Sequence, residues 1–322
     1  VKIPEASVLS TLLVTFLALT FFFAPADLLI HQRQNTDEGV VKLHSRLVNL
    51  NVSVIDRRNK RVSQLRLEDF LISENGVQQT VVHFEPVNAP VNLVLLLDLS
   101  GSLGSKLDSL KRAAKRFIDS LKETDRVAVG VFTSRFNLVS GFTDDRKLLK
   151  KRIERLEQTD GDTALYDAAW TAFDLLNEVK EARKALVVLT DGVDSSFHPD
   201  EQGSRHTFEE LLMRAVEEDA TVYPIYFDTE AETGGHYSSE AFATARRQLQ
   251  SLADDTGGTR FSAMRTEDLD GVYQQVSAEL HSLYSLAYAA SDTRKDGRWR
   301  RINVQVNRDG IVAKTKRGYY AK

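Results

Sequence analysis

The chain has 322 residues, 42% apolar and 27% charged, with a net charge of -4 and no cysteine. That length allows roughly two domains, the composition excludes wholesale disorder, and the charge balance excludes a strongly basic nucleic-acid binder. Disulfides cannot contribute to stability.

In chain order, the first feature is an uncharged apolar run within 6–26, behind only Lys2 and Glu5. A short start, an apolar core and Ala24-Pro25-Ala26 predict that residues 1–26 are a secretory signal cut before Asp27. The run is also close to the roughly 20 residues that span a bilayer, so a retained membrane anchor is the alternative. Either way the protein is expected to be exported, to the periplasm or the cell exterior. Residues 27–40 are polar and read as a linker.

Over 41–87, Leu43, Leu47, Val48, Leu50, Val52 and Val54 alternate as in a half-buried strand. Runs at 71–74 and 79–84 flank Asn75-Gly76, a dipeptide suited to a tight hairpin because both positions take positive φ. The far end, 283–322, has the same character, with strands expected over 284–289, 301–306 and 311–317. Each flank is too short to bury a comfortable core alone. The two are therefore expected to pair into one small all-β sandwich with the middle of the chain inserted between them. From 294 to 322 there are 10 Lys or Arg against 2 Asp. These charges either line wet strand faces or meet an anionic lipid surface or an acidic partner.

The middle, 91–282, changes period. Short apolar runs at 93–97, 127–132, 185–189 and 221–227 alternate with helical spacings such as Leu107-Leu110-Ala114-Phe117-Ile118-Leu121. Continuous apolar strands between helices predict a mostly parallel, doubly wound α/β sheet covered on both faces. In such sheets ligands sit at the carboxyl ends of the strands, where strand order reverses. Asp98-Leu99-Ser100-Gly101-Ser102 follows the first strand, Thr190-Asp191-Gly192 follows another, and Gly161-Asp162-Thr163 opens a helix. Asp98, Ser100, Ser102, Thr163 and Asp191 can then converge as two carboxylates and three hydroxyls. With no thiolate or imidazole the set serves zinc and copper poorly. Hard oxygen donors with few carboxylates suit Mg²⁺, or Mn²⁺.

The D-x-S-x-S string, with the later threonine and aspartate, resembles the metal-ion-dependent adhesion site (MIDAS) of von Willebrand factor type A domains. The resemblance implies a Rossmann-like fold over 91–282. It also implies that Ser100, Ser102 and Thr163 are direct ligands, with Asp98 and Asp191 binding directly or through water. More narrowly, LRLEDFLISENGVQQTVVHFE before this region and DGRWRRINVQVNRDGIVAKTKRGYY after it resemble a bacterial subgroup first described in Acidobacteria. The expected function is a non-enzymatic module that grips a protein partner by a carboxylate on the metal.

Two other readings use the same residues. One is an envelope scaffold in which the metal only stabilises the fold. The other is a metal-dependent hydrolase, which needs a general base beside the metal, and no His or Lys stands beside the five residues in sequence. Gly101 to Lys106 lacks the glycine spacing and Gly-Lys pair of a phosphate loop, and no G-x-S-x-G elbow occurs. Asp162 and Asp194 read as caps or loop residues. His198 and His206 share one loop without a third ligand at suggestive spacing. Trp170 reads as core. Phe197 and Tyr237, in the long polar loops after strands, are candidate partner contacts or exposed filler.

Overall fold

The computed structural model describes residues 46–322, apart from residues 59, 86–88, 105, 160 and 180–182 and the side chain of Ser102. The expected signal or anchor and the linker lie outside the described residues. Among the described residues no helix is long and apolar enough to cross a membrane.

The first flank forms β1 (Leu47–Asp56), β2 (Phe70–Glu74), β3 (Val77–Gln79) and β4 (Val81–Glu85). Val48, Leu50, Val52 and Val54 of β1 all point into a core, as the alternation predicts. Between β2 and β3, Asn75 and Gly76 take φ of 49° and 85°, the two positive values that the tight hairpin turn requires. The single strand expected over 79–84 is instead two. Gln79 ends β3 in one sheet and Val81 opens β4 in another. The crossing is pinned by the Gln79 side chain, which accepts from the Ser291 N–H and donates to the Ser291 hydroxyl, both at 2.9 Å.

The middle of the chain runs through β5 (Val91–Asp98), α1 (Gly101–Gly104), α2 (Leu107–Ser120), β6 (Arg126–Phe132), β7 (Phe136–Thr143), α3 (Arg146–Glu154) and α4 (Leu165–Asn177). It continues with β8 (Arg183–Thr190), α5 (Phe208–Glu217), β9 (Ala220–Phe227), α6 (Ser239–Thr256), β10 (Phe261–Ala263) and α7 (Leu269–Leu280). The sheet order is β10-β9-β8-β5-β6-β7, parallel except for β7, which runs antiparallel to β6. Strand β5 explains the unbroken apolar run. Leu93, Leu95 and Leu97 pack with α2 and α7 on one face, while Val94 and Leu96 pack with α4 and α5 on the other. Fully burying each such side chain contributes about 2 kcal/mol. The edge strands β7 and β10 were not expected. Much of β7 faces water, so it has no apolar run to betray it.

The second flank supplies β11 (Tyr284–Ala289), β12 (Trp299–Val306), β13 (Ile311–Lys314) and β14 (Gly318–Tyr320). Each of two four-stranded sheets, ordered β13-β1-β11-β4 and β14-β12-β2-β3, takes strands from both ends of the chain. Leu50, Val52, Phe70 and Ile72 share one buried cluster with Tyr284, Leu286, Tyr288, Ile302 and Val304. Neither flank could form that cluster alone. Within it, Glu74 is 3% exposed and accepts hydrogen bonds from the hydroxyls of Tyr288 at 2.7 Å and Tyr319 at 2.8 Å. The strand expected over 311–317 ends at Lys314 as β13, and β14, which begins only at Gly318 and was not expected, joins the other sheet.

Most cations of the basic segment meet carboxylates of this same chain. Lys316 pairs with Asp219 at 2.9 Å, Arg317 with Asp254 and Asp255, and Lys322 with Glu217. These partners belong to the α5–β9 region and the end of α6, so the last strands are clasped onto the α/β part.

Candidate metal centre

Strands β5 and β8 are neighbours whose pairing ends with Leu97 opposite Leu189, so Asp98 and Thr190 emerge side by side at their carboxyl ends. This is where the strand order reverses, since the chain goes from β5 to β6 on one side and returns to β8 on the other. Asp98 is fully buried. Its Oδ1 accepts the Ser100 N–H at 2.9 Å and its Oδ2 accepts the Thr190 hydroxyl at 2.7 Å. Asp191, 4% exposed, accepts the Thr229 hydroxyl at 2.7 Å and the Val193 N–H at 3.1 Å. Gly192 makes this turn possible. It takes φ +78°, and a Cβ there would lie 2.8 Å from a Leu249 methyl of α6.

Burial first, and then the nearby Asp191 carboxylate, push Asp98 up to about 7. Among the described residues no Lys, Arg or His forms an ion pair with Asp98, and the amide and hydroxyl that donate to it are neutral. A buried carboxylate beside another carboxylate is an electrostatically unfavourable arrangement that a cation would relieve.

Thr163 comes from the loop before α4. Its N–H donates to the Ser195 hydroxyl and its carbonyl accepts the Ser195 N–H, both at 2.8 Å. The adjacent Ala164 N–H donates to the Thr133 carbonyl at the end of β6. Ser100 and Thr163 line one cavity of about 380 Å³. The structure thus gathers Asp98, Ser100, Thr163 and Asp191 at one rim. Ser102 follows Gly101, which lines the same cavity, and its side chain lies outside the described ones. Among the described residues, no group of three or more His, Cys, Asp or Glu assembles as a metal cage. A donor set dominated by hydroxyls needs no such group.

Sequence reasoning missed how this rim is braced. Asp194, read as a loop residue, is fully buried. Its carboxylate accepts the Leu165 N–H at the start of α4, the Ser196 and Ser204 N–H groups and the Ser204 hydroxyl. It fastens the 194–205 loop to α4, next to Thr163. Gly203 permits this closeness, because a Cβ there would fall 2.3 Å from Asp194 Oδ1. The only sequence signal was an aspartate three residues past Asp191 in a turn-rich stretch.

Several side chains differ from expectation. Phe197 and Tyr237 are half-buried against Val193, Phe242 and Ala245, so they pack inward. His206 does not join His198. It stacks on Trp170 at 4.0 Å and approaches Asp167 at 2.7 Å. Trp170 is half-buried between that ring and the Arg214 guanidinium at 4.5 Å. His198 instead stacks on His236 at 4.8 Å. His236, distant in sequence from the five residues, lines the Ser100–Thr163 cavity and is engaged with Glu201. Against the cost of burial, Ser195, Tyr237 and His236 hold the Glu201 carboxyl down at about 2.

Compared with known proteins, residues 93–193 match the sequence profile of the von Willebrand factor type A domain. An uncharacterized protein of Synechocystis sp. is 37% identical over 107 residues, which is 32% of this chain and 25% of that protein. The chain therefore matches about a quarter of that relative's length. Among solved structures, BatB from Bacteroides thetaiotaomicron is 20% identical with a TM-score of 0.46, covering 59% of this chain and 98% of that one. A von Willebrand factor type A protein from Catenulispora acidiphila is 14% identical with a TM-score of 0.48, covering 87% and 74%. The vWF domain of the type V pili tip protein Mfa5 from Porphyromonas gingivalis is 14% identical with a TM-score of 0.45, covering 60% and 96%. Residues 93–193 run from β5 to the turn after β8 and contain all five candidate ligands, so the α/β part of this chain is a von Willebrand factor type A-like fold with a mixed, mostly parallel sheet.

Proposed function

We propose that this is an exported, non-enzymatic binding module. In this reading Asp98, Ser100, Ser102, Thr163 and Asp191 hold Mg²⁺ or Mn²⁺, and the cation coordinates a carboxylate of a protein partner. The observation that carries the reading is Asp98, a buried carboxylate fixed by neutral donors with a second carboxylate beside it. The donor chemistry fits a hard divalent ion. Hydroxyl ligands leave charge on a bound ion, which supplies an electrophilic position open to one further oxygen. Ser100 and Thr163 face the cavity through which such an oxygen would enter.

The same proposal includes export through the apolar 6–26 segment, retained as an anchor or removed. It also treats the flanks as one small sandwich carrying the α/β part as an insert, an arrangement supported by the pairing of β1 with β11 and of β2 with β12. The resemblance of both flanks to the bacterial subgroup agrees with that arrangement.

The test is a thermal-shift titration of residues 27–322 with Mg²⁺ and Mn²⁺ against EDTA. Binding to the native state alone stabilises by RT ln(1 + [L]/Kd), about 2.7 kcal/mol at a hundredfold excess over Kd. The expected outcome is a saturating rise in Tm that Asp98→Ala abolishes. No shift in either protein, confirmed by calorimetry, would end the metal reading and leave the scaffold.

A further inference from the structure

We infer that the cleft beside the metal cavity, between the β6–β7 turn and the 194–205 loop, is a second subsite that takes an acidic side chain of the same partner. The identity of the first carboxylate's site rests on the metal reading above, whereas the cleft has its own set of residues. It has a volume of about 680 Å³, and Arg135, Arg205, Ser134, Gln202, Asp167 and Glu201 line it. Glu201 also lines the metal cavity, so the two spaces adjoin.

Charge in this cleft is unevenly satisfied. Asp167 accepts the N–H groups of Arg205 and His206, each at 3.1 Å, and meets the His206 ring. Glu201 is engaged by His236 and Tyr237. Both carboxylates thus have their hydrogen-bond donors within the chain. The Arg135 and Arg205 guanidinium groups, by contrast, form no hydrogen bond or ion pair with any described side chain or backbone group. Both are exposed. The cleft therefore offers two planar, permanently charged forks, the geometry that binds a carboxylate in bidentate fashion.

Their anchorage is firm although the side chains are free. Arg135 stands two residues after Thr133, whose carbonyl accepts the N–H beside Thr163. Arg205 follows Ser204, which is tied to the buried Asp194 by both its N–H and its hydroxyl. Pre-placed donors lose less freedom on binding than donors on a loose loop. An extended chain advances about 3.3 Å per residue. A protein segment with two acidic residues a few positions apart would reach both subsites, and that is the partner class the geometry points to.

The probes are two fluorescein-labelled peptides in a Gly/Ser background, one with two glutamates four positions apart, and so on one face of an extended chain, and one with a single glutamate. Anisotropy is measured at 150 mM salt with Mg²⁺ or EDTA. Wild type is expected to bind the two-glutamate peptide about 5-fold tighter. Arg135→Ala combined with Arg205→Ala should erase that preference while leaving the Mg²⁺-induced Tm shift intact. A preference that survives in the double variant overturns the proposal, as does the absence of binding of either peptide at millimolar concentration. If the preference persists in EDTA and in Asp98→Ala but is lost in the double variant, the cleft stands and the metal reading fails.

Discussion

The β flanks and the sheet rim each bury a carboxylate, and the two are completed in opposite ways. Glu74 sits in the core between the flanks with two tyrosine hydroxyls on it and the Arg300 guanidinium 4.0 Å away. Its partners come from β11, β14 and β12, so folding itself supplies everything the charge needs. Asp98 has the Ser100 and Thr190 hydroxyls and the Ser100 amide, all neutral, and a second carboxylate beside it. Asp194 belongs with Glu74, since its donors fill it from within the chain. A buried charge that the chain satisfies is structural, whereas one placed against a like charge keeps a cost that a proton or a bound cation would remove.

The largest effect should come from breaking the completed site. Glu74→Ala leaves two tyrosine hydroxyls without their acceptor in a dry core, while Arg300 keeps Asp296 and Asp292, and is expected to cost about 3 kcal/mol. Denaturant unfolding should show the same loss with Mg²⁺ and with EDTA. A metal-dependent loss would dissolve the distinction between the two sites.

Asp98→Asn should act with the opposite sign. Removing the charge is expected to raise metal-free stability at pH 8 by an amount on the order of 2 kcal/mol, while eliminating the Mg²⁺ shift. The pH dependence sharpens this point. Asp98 titrates near 7 when folded and near 3.9 when unfolded, so the folded state holds more protons between those values. Metal-free wild type should therefore lose stability as pH rises from about 4 to 7, then level off. Mg²⁺ stabilisation, which needs the ionised form, should grow over the upper part of the same window. Unfolding midpoints from pH 4 to 8, with and without Mg²⁺, test both slopes, and Asp98→Asn should flatten them.

The smallest effect belongs to the clasp. Lys316→Ala removes a pair between a buried ammonium and the half-exposed Asp219 and should cost about 1 kcal/mol, the upper end for a pair still open to water on one side. Raising the salt concentration should bring wild type toward the variant. A loss of several kcal/mol would mean that the clasp, rather than the shared core, holds the last strands in place.

Much of this was legible in the chain. The unbroken runs in β5, β6, β8 and β9 announced strands buried on both faces, and Asn75-Gly76 announced its hairpin. The strand-end positions of Asp98 and Asp191 followed from those runs. What escaped notice lacked a local signal. Strand β7 is only partly buried, β10 has three residues, and the chain changes sheet at polar stretches, Gln78-Gln79-Thr80 and Lys314-Thr315-Lys316-Arg317, that hold no glycine or proline to mark the crossing.

By itself the sequence determined the elements whose side-chain period is set by burial, and the donor chemistry available at the strand ends. The tertiary structure alone decided which distant groups meet. It set Tyr288 and Tyr319 on Glu74, put Asp194 under the 194–205 loop, sent His206 to Trp170 and brought His236 to the cavity. Periodicity reports only whether a residue faces solvent or core. Hydrogen bonds and ion pairs depend on positions a few ångströms apart in space, and those positions are fixed only once the sheets have chosen their neighbours.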